Sequence, residues 1–261
     1  MLKYIKYLFL RSRSIWSQRP RAILDGFRRL GNFEQSQVGY RTDIHKEQLS
    51  RDYVLAHPGT NLKFLDMGGK DGALTYLLGI RQNLAFDQDF YDGNKSRFDA
   101  KYEYFGVDLN PAGPNVLAGD VCSREFLEKH QDYAGFFDVI YSNNVFEHLR
   151  CPWIAAENLS KMLKPGGTVI TVVPFSQRYH EDPQDFFRYT HIGIVSLFED
   201  SETYETLEAG YDIAGRRTDW QGSGKANDTV PIDSFGAWRE TWFTVSVLRK
   251  LPLTRATEGL M

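Results

Sequence analysis

The sequence predicts an α/β protein with a doubly wound, mostly parallel sheet of seven strands. Short apolar runs of strand length alternate along the chain with segments whose apolar residues recur at helical spacing. Several of the predicted strands also end in glycine-rich or acidic turns, where the chain of a parallel sheet passes towards a helix. Helices are therefore expected on both faces of the sheet.

The first predicted strand and its turn organise the domain. The apolar run at 64–67 is long enough for a buried parallel strand, and the Gly, Lys and Asp residues at 68–72 break it. Leucines at helical spacing in 74–78 then begin a helix. Glycine permits close backbone approach to a ligand, and a helix start presents unpaired N–H groups. Asp66 at the strand's end favours a ligand with a positive group over a pyrophosphate.

The remaining elements follow from the same patterns. Strands are predicted at 102–108, 115–119, 136–141, 168–173, 211–214 and 241–248, and helices at 40–56, from Pro152 onwards and at 190–199. The turn at 164–167 ends the helix that begins at Pro152, and Thr190 is a plausible N-cap. Residues 81–101 are interpreted as a polar and aromatic connection rich in Asp, Asn and Phe. Residues 82–100 are expected to be remote from the chemistry.

Charge divides the 261-residue chain unevenly. Residues 1–30 hold eight Lys and Arg residues against one Asp, so the rest of the chain carries a net charge of −10. An acidic body disfavours broad nucleic-acid binding, which depends on neutralising phosphates. Residues 1–16 are too short an apolar run to span a bilayer, and they suit either an amphipathic helix on an anionic membrane or a helix packed on protein.

Three segments are predicted on this basis. Residues 1–59 form a basic N-terminal helical extension that ends at a Pro-Gly pair, residues 60–250 form the main domain, and residues 251–261 form a tail. The two cysteines, Cys122 and Cys151, have no pair spacing or neighbouring histidine that suggests a metal. They fit a reducing compartment, so a cytoplasmic protein without a metal is expected.

Polar residues follow four of the predicted strands directly. Asp66, Asp108, Asp120 and the pair Ser142-Asn143 all stand just past a strand end. Ligands of open α/β sheets bind beyond the carboxyl ends of the strands. Because four separate loops contribute, the sequence predicts one crevice that gathers these groups, although a single strand-end Asp is often only a turn cap.

At this point the chain resembles the class I S-adenosylmethionine-dependent methyltransferases over residues 60–250. The run 64–72 resembles the first motif of that family, 106–108 the second, 119–121 the third and 137–149 the fourth. Residues 163–167 are similar to the turn before the family's fifth strand. The resemblance implies a Rossmann-like sheet whose last strand is antiparallel, with S-adenosylmethionine as the cofactor.

The resemblance also implies roles for individual residues. Asp66 and the glycine turn would hold the methionine end, Asp108 the ribose hydroxyls, and Asp120 the adenine. The full set of implied cofactor contacts is Asp66, Gly68, Gly69, Gly72, Asp108, Leu109, Asp120, Val121, Ser142 and Asn143. The chain departs from the family pattern at Lys70, which stands where the middle glycine is usual, and in the long interval from Asp66 to Asp108.

The loop after the fifth predicted strand, 179–190, is expected to bind the acceptor. His180 is the first candidate for a general base, because an imidazole titrates near neutrality. Asp182 or Asp185 would orient it, and Arg188 would clamp an acidic substrate group. Alternatively, Asp185 and Arg188 pair with each other and fix the loop.

His148, beside Glu147, is the second catalytic candidate. The pair could face the acceptor, ligate a metal, or only shape the wall of the pocket. Between the last two strands, the glycines of 216–239 suit either a lid that excludes water or a disordered surface loop.

The sequence therefore predicts an enzyme that transfers a methyl group to a small molecule or a glycan, most readily on oxygen. The pattern His180-x-x-Pro183-x-Asp185-x-x-Arg188-x-Thr190 also resembles bacterial methyltransferases that act on sugars and cell-surface polysaccharides. Two alternatives remain open. One is a binding protein that keeps the fold without catalysis, and the other is a nucleic-acid methyltransferase, which the acidic body and the residues at 142–146 disfavour.

Overall fold

Eight strands and six helices make up the computed structural model, which describes residues 40–41, 44–68, 72–81, 86–110, 113, 115–177, 179–180, 184–199, 203–215 and 241–252. The strands are β1 (Tyr40–Arg41), β2 (Leu62–Met67), β3 (Tyr102–Asp108), β4 (Val116–Ala118), β5 (Phe137–Asn143), β6 (Leu163–Ser176), β7 (Tyr204–Gly215) and β8 (Thr241–Lys250). The helices are α1 (Lys46–Ala56), α2 (Ala73–Gly79), α3 (Gln88–Asp99), α4 (Glu125–Lys129), α5 (Pro152–Met162) and α6 (His191–Glu199). Short 3₁₀ turns lie at Gln131–Tyr133 and Phe146–His148.

One sheet contains all eight strands, in the order β1-β7-β8-β6-β5-β2-β3-β4. Strand β8 runs antiparallel to both of its neighbours, and every other pairing is parallel. The predicted doubly wound, mostly parallel sheet with an antiparallel last strand is confirmed. The two-residue β1 adds an eighth strand at one edge, where Tyr40 pairs with Ala209.

The start of the chain's first described helix differs from the prediction. A helix was expected from residue 40, but α1 begins at Lys46, and residues 40–41 instead form a strand that pairs with β7. The amide of Ile44 donates to the carbonyl of Tyr211, which is also in β7. At residues 40–41, pairing with the sheet edge thus takes the place of the expected helix.

Both faces of the sheet are buried, which explains the continuous apolar strands. Phe64 and Tyr141 pack on the face that also holds core residues of α1, α2 and α3. Leu65, Met67 and Ile140 pack on the opposite face, with core residues of α5 and α6. Side chains alternate between faces along a strand, so each strand of a doubly covered sheet needs apolar residues at nearly every position.

Helix α1 belongs to the same core as the sheet. Val54 is fully buried, and its carbonyl accepts a 2.6 Å hydrogen bond from the Tyr102 hydroxyl. The Arg51 guanidinium donates to the carbonyls of Leu77 and Ile80. The boundary predicted at residue 59 stays a prediction, and residues 1–39 and 253–261 lie outside the described part of the chain.

The connection at 81–101 contains helix α3, which was not predicted from the sequence. The Asp87 carboxylate caps this helix by accepting from the amide of Phe90, 2.9 Å away. Asn94 and Phe98 are the two residues of α3 that are buried. With so narrow a buried stripe, and Gly93 in the middle, the apolar periodicity is too sparse to read from the sequence.

None of the helices in the described ranges is both long enough and apolar enough to cross a membrane. The predicted membrane-binding segment, residues 1–16, falls outside those ranges.

Gly167, near the start of β6, and Gly93, within α3, differ in the space around them. A Cβ atom on Gly167 would lie 2.9 Å from the Lys164 carbonyl oxygen and 3.0 Å from that of Asp138, whereas one on Gly93 would meet nothing within 4 Å. We expect Gly167→Ala to lower the free energy of unfolding by about 1–3 kcal/mol, because backbone must move. Gly93→Ala should raise it by about 0.5–1 kcal/mol, because Gly93 is exposed within a helix.

Urea unfolding of the two variants and the wild type measures this contrast. A Gly167→Ala protein as stable as the wild type would show that the backbone around Gly167 has room for a methyl group.

Candidate active site

A cavity of about 670 Å³ opens at the edge of the sheet where β2, β3, β4 and β5 end. Its volume falls in the usual range for small-molecule sites. The lining residues are Met67, Gly68, Val107, Asp108, Leu109, Asn110, Gly119, Asp120, Val121, Cys122, Asn144, Val145, His148, Leu149, Arg150, Gln184 and Phe186. No residue of α3 is among them, in agreement with the expectation that this segment is remote from the chemistry.

Gly68 forms the floor of the cavity at the end of β2. Its φ angle is +73°, and a Cβ atom there would lie 2.8 Å from Cγ2 of Val145. Its amide donates to the carbonyl of Val107 on the neighbouring strand, 3.0 Å away. Both the backbone conformation and the close approach of Val145 therefore require glycine at this position.

Asp108 and Asp120 lie side by side on the cavity wall. Asp108 ends β3, whose last residue pairs with Ala118 of β4, and the amide of Gly119 donates to the Asp108 carbonyl. Each carboxylate caps its own turn through Oδ1. Asp108 accepts from the amide of Asn110 and Asp120 from that of Cys122, each at 2.8 Å. Among the described residues, no hydrogen bond is made to Oδ2 of either carboxylate, so turn capping and ligand binding are compatible.

Asp66 lies behind the cavity rather than on its wall. It is fully buried on the same face as Phe64, while the next residue, Met67, lines the cavity. Its Oδ2 accepts a 2.9 Å hydrogen bond from the Tyr104 hydroxyl, and its buried Oδ1 has no hydrogen-bond partner. Burial raises the pKa of Asp66 to about 7, and the hydrogen bond from Tyr104 offsets part of that shift.

At the end of β5, Ser142 and Asn143 were predicted to contact the cofactor, but the residue that lines the cavity is the next one, Asn144. The hydroxyl of Ser142 and Oδ1 of Asn143 are buried without hydrogen-bond partners, and neither residue lines the cavity. Asn144 does, with a φ angle of +55°. Left-handed backbone outside glycine is uncommon but tolerated by Asn, and it often marks functional sites.

A cluster of Glu147, His148 and His180 borders the cavity. His148 lines it directly, and its Nδ1 lies 2.6 Å from the carbonyl oxygen of Gln184. The His148 and His180 rings meet edge to face, with centroids 5.0 Å apart. The Glu147 side chain is completely buried, and burial raises its pKa to about 8. The structure thus brings together the two histidines predicted as alternative catalytic residues.

Asp185 and Arg188 pair with each other, which is the second of the two interpretations left open above. Nη2 of Arg188 donates to Oδ2 of Asp185 at 2.6 Å, and Nη1 donates to Oδ1. Asp185 also accepts from the amide of His180 at 2.8 Å. Burial acts to raise the pKa of Asp185, but the hydrogen bonds from Arg188 and His180 outweigh it and hold the pKa below its usual value. A substrate clamp by Arg188 stays a prediction.

Some predicted residues cannot be placed. Gly69, Lys70, Asp182 and the proposed lid at 216–239 lie outside the described residues. Gly72 is described and has a left-handed φ of +79° at the start of α2, but it does not line the cavity. Leu109 and Val121 do line it.

Sequence reasoning missed several lining residues. One feature of the sequence could have indicated Asn144 as a site residue, because an Asn directly after a predicted strand is suited to left-handed backbone. Gln184 and Phe186 lie in the loop predicted to bind the acceptor, but nothing in the sequence singled out these two residues within it. The amides of Phe186 and Phe187 donate to the carbonyl of Glu147, which joins this loop to the turn after β5.

The polar groups of the cavity fit the cofactor that the resemblance implies. Ribose offers two hydroxyl donors, which suit a carboxylate such as that of Asp108. The adenine amino group is a donor that Asp120 can accept. Behind the cavity, the orphaned Oδ1 of Asp66, two residues before Gly68, is a further acceptor of the kind that an ammonium group requires.

Comparisons with known proteins agree with this fit. A family model described as a methyltransferase domain matches residues 15–213. No curated protein sequence matches the chain at a significant level. Among solved structures, Burkholderia thailandensis 1,6-didemethyltoxoflavin-N1-methyltransferase is 16% identical, with 95% of this chain and 90% of that chain covered and a TM-score of 0.48.

The YcgJ protein of Bacillus subtilis is 14% identical, with 80% of this chain and 99% of that chain covered and a TM-score of 0.46. Sequence identities and TM-scores this low carry no information about the methyl acceptor of this chain. The family match covers most of the sequence, so the chain belongs to the methyltransferase-domain family and is an S-adenosylmethionine-dependent methyltransferase.

Proposed function

We propose that this enzyme transfers the methyl group to a hydroxyl oxygen of a small molecule or a glycan. The observation that carries the proposal is the pair of imidazoles at the cavity: His148 lines the cavity that also contains Asp108 and Asp120, and the ring centroid of His180 lies 5.0 Å from that of His148. An oxygen acceptor must lose a proton, and imidazoles are the side chains suited to promote that loss near neutral pH.

The nucleoside end of the cofactor is assigned to the carboxylates of β3 and β4. Asp108 would accept from the ribose hydroxyls and Asp120 from the adenine amino group. Gly68 would allow the ligand to approach the backbone, and Asp66, behind the cavity, would attract the ammonium. Leu109 and Val121 would supply apolar contact for the adenosine.

The acceptor end is assigned to the two histidines. S-Adenosylmethionine supplies a methyl group made electrophilic by its sulfonium. His148 positions the acceptor at the cavity wall, and His180 takes the proton of the hydroxyl. Asp185 holds His180 in place through the backbone amide and lies 3.4 Å from its Nδ1. Positioning of the acceptor accounts for a large part of the rate enhancement in a displacement of this kind.

The acceptor class is inferred from the loop sequence and from the charge of the chain. The glycan interpretation comes from the residue pattern in the loop at 180–190, and a cytoplasmic enzyme that contacts a membrane through residues 1–16 is consistent with it. The net charge of −10 over residues 31–261 favours these acceptors over nucleic acids.

Replacing Asp108 tests the cofactor site. Asp108→Ala removes the acceptor for the ribose hydroxyls, and hydrogen bonds to charged groups contribute about 1.5–3 kcal/mol. We therefore expect the Kd for S-adenosylmethionine to rise by roughly 10- to 100-fold in calorimetry. Asp99→Ala, on the exposed end of α3, is the control and should bind as the wild type does. Equal affinity of the Asp108→Ala protein would refute the assignment.

Replacing Asp66 tests the buried carboxyl. In the folded protein it keeps its proton up to about pH 7, whereas the ordinary value is 3.8. Between pH 3.8 and about 7, the folded state therefore binds more protons than the unfolded state does. The free energy of unfolding consequently falls as the pH rises through this range. Asp66→Asn removes that loss. Relative to the wild type, its free energy of unfolding should rise by on the order of a few kcal/mol between pH 4 and pH 8.

Urea unfolding at pH 4, 6 and 8 measures that difference. If the difference between the two proteins does not change with pH, Asp66 is already ionised in the folded wild type.

Replacing His180 tests the proposed base. His180→Ala should lower kcat by about 100- to 10,000-fold, the usual contribution of a general base. The affinity for S-adenosylmethionine should stay the same, because His180 does not line the nucleoside end. His57→Ala, at the end of α1, is the matched control. Unchanged transfer of a labelled methyl group by the His180→Ala protein would remove His180 from the mechanism.

A further inference from the structure

Glu147, His148 and His180 are close enough to share one cation. Each offers a ligand atom, and the three atoms lie within 4.8 Å of one another. Nε2 of His148 and Oε1 of Glu147 are 3.7 Å apart. Two of these residues come from the turn after β5 and the third from the loop after β6, so the fold and not the local sequence assembles the group.

The Glu147 carboxylate gives an independent indication of a ligand. Its side chain is completely buried, and neither Oε1 nor Oε2 has a hydrogen-bond partner. The Arg188 guanidinium donates instead to Asp185 and to the carbonyls of Gln177 and Phe187. A buried carboxylate without a hydrogen bond is costly, and coordination of a metal is one way in which proteins satisfy it.

The other nitrogen of each imidazole is turned towards an oxygen. Nδ1 of His148 lies 2.6 Å from the Gln184 carbonyl, which can only accept, so this nitrogen carries the proton and Nε2 carries the lone pair. Nδ1 of His180 lies 3.4 Å from Oδ2 of Asp185. Metal-ligating histidines usually donate their second N–H to a carbonyl or carboxylate in this manner, which fixes the tautomer and the ring.

We infer that Glu147, His148 and His180 bind a divalent transition-metal cation, with Zn²⁺ as the ion that the donors suit best. Two imidazoles and one carboxylate are the three protein ligands of many catalytic zinc sites, where the fourth position stays open. Mg²⁺ and Ca²⁺ prefer oxygen ligands throughout, so the two nitrogens select against them.

The cation deepens the function proposed above, and this part of the inference rests on that function. His148 lines the cavity, so the open position faces the space for the acceptor. A hydroxyl bound there has a lowered pKa, and its proton passes to water. The lone pair of His180 is then used for coordination, and the cation takes over the activation that a free imidazole would otherwise provide.

Metal titration of the full chain tests the site without reference to activity. Protein freed of metal with a chelator is titrated with Zn²⁺ by calorimetry, with Co²⁺ by visible absorption, and with Mg²⁺ for comparison. We expect one Zn²⁺ or Co²⁺ per chain, a Co²⁺ spectrum of nitrogen and oxygen ligation, and no comparable binding of Mg²⁺.

Three variants locate the site: Glu147→Gln, His148→Ala and His180→Ala. Each should weaken Zn²⁺ binding by at least about 100-fold, since even the loss of an outer-shell partner costs roughly 10- to 100-fold. His57→Ala is the control and should bind as the wild type does. If Glu147→Gln fails to fold, His180→Ala, on a partly exposed loop, still decides the result.

Binding of S-adenosylmethionine, measured on the same samples, separates the two proposals. If the cofactor binds and Zn²⁺ does not, or if the variants bind Zn²⁺ as tightly as the wild type, the metal site is refuted while the methyl transfer stands. If Zn²⁺ binds at these residues and the cofactor does not, the metal site stands and the proposed function fails.

Discussion

Burial of the parallel sheet on both faces is the constraint on which the rest of the structure depends. Such a sheet leaves few places for polar groups along its strands, so they collect where strands end. Five parallel strands, β2 to β6, bring their carboxyl ends to one edge. The cavity is the space that remains there between the turns, and its chemistry is decided by the residue that each strand places last.

The polar residues at the strand ends could be predicted from the sequence. Asp108 and Asp120 stand directly after apolar runs, and a strand-end position alone places them on a common edge. The sequence predicted that Asp66 lies at a strand end, but it gave no indication that the side chain is buried. Its depth follows from the alternation of faces, which points it towards Tyr104 and puts Met67 on the cavity wall.

The features that the sequence did not predict depend on contacts between distant segments. Strand β1 exists because residues 40–41 pair with β7, and a helical pattern in the same segment gave no sign of it. Helix α3 buries only two residues, so its stabilisation comes from its cap, from packing on α2 and from Phe98, which packs on the rings of β2 and β3. The histidine cluster joins residues 147–148 to residue 180, and a loop conformation of this kind has no periodicity from which it could be predicted.

The ion pair between Asp185 and Arg188 changes the interpretation of these two charges. In the sequence, its charges suit a substrate clamp as well as a structural pair. In the structure, the carboxylate accepts from both Arg188 and the amide of His180, so the motif positions an imidazole. The pair thereby fixes the loop that contains His180, while a substrate clamp by Arg188 stays a prediction.

The central claim is that carboxylates from separate loops surround one adenosine-bearing cofactor whose sulfur faces the histidines. A crystal structure with S-adenosylhomocysteine tests it most directly. The account predicts the ribose hydroxyls on Asp108, the adenine beside Asp120 and the sulfur on the side of His148. A ligand bound elsewhere, or bound here with its adenine at the histidines, would contradict it.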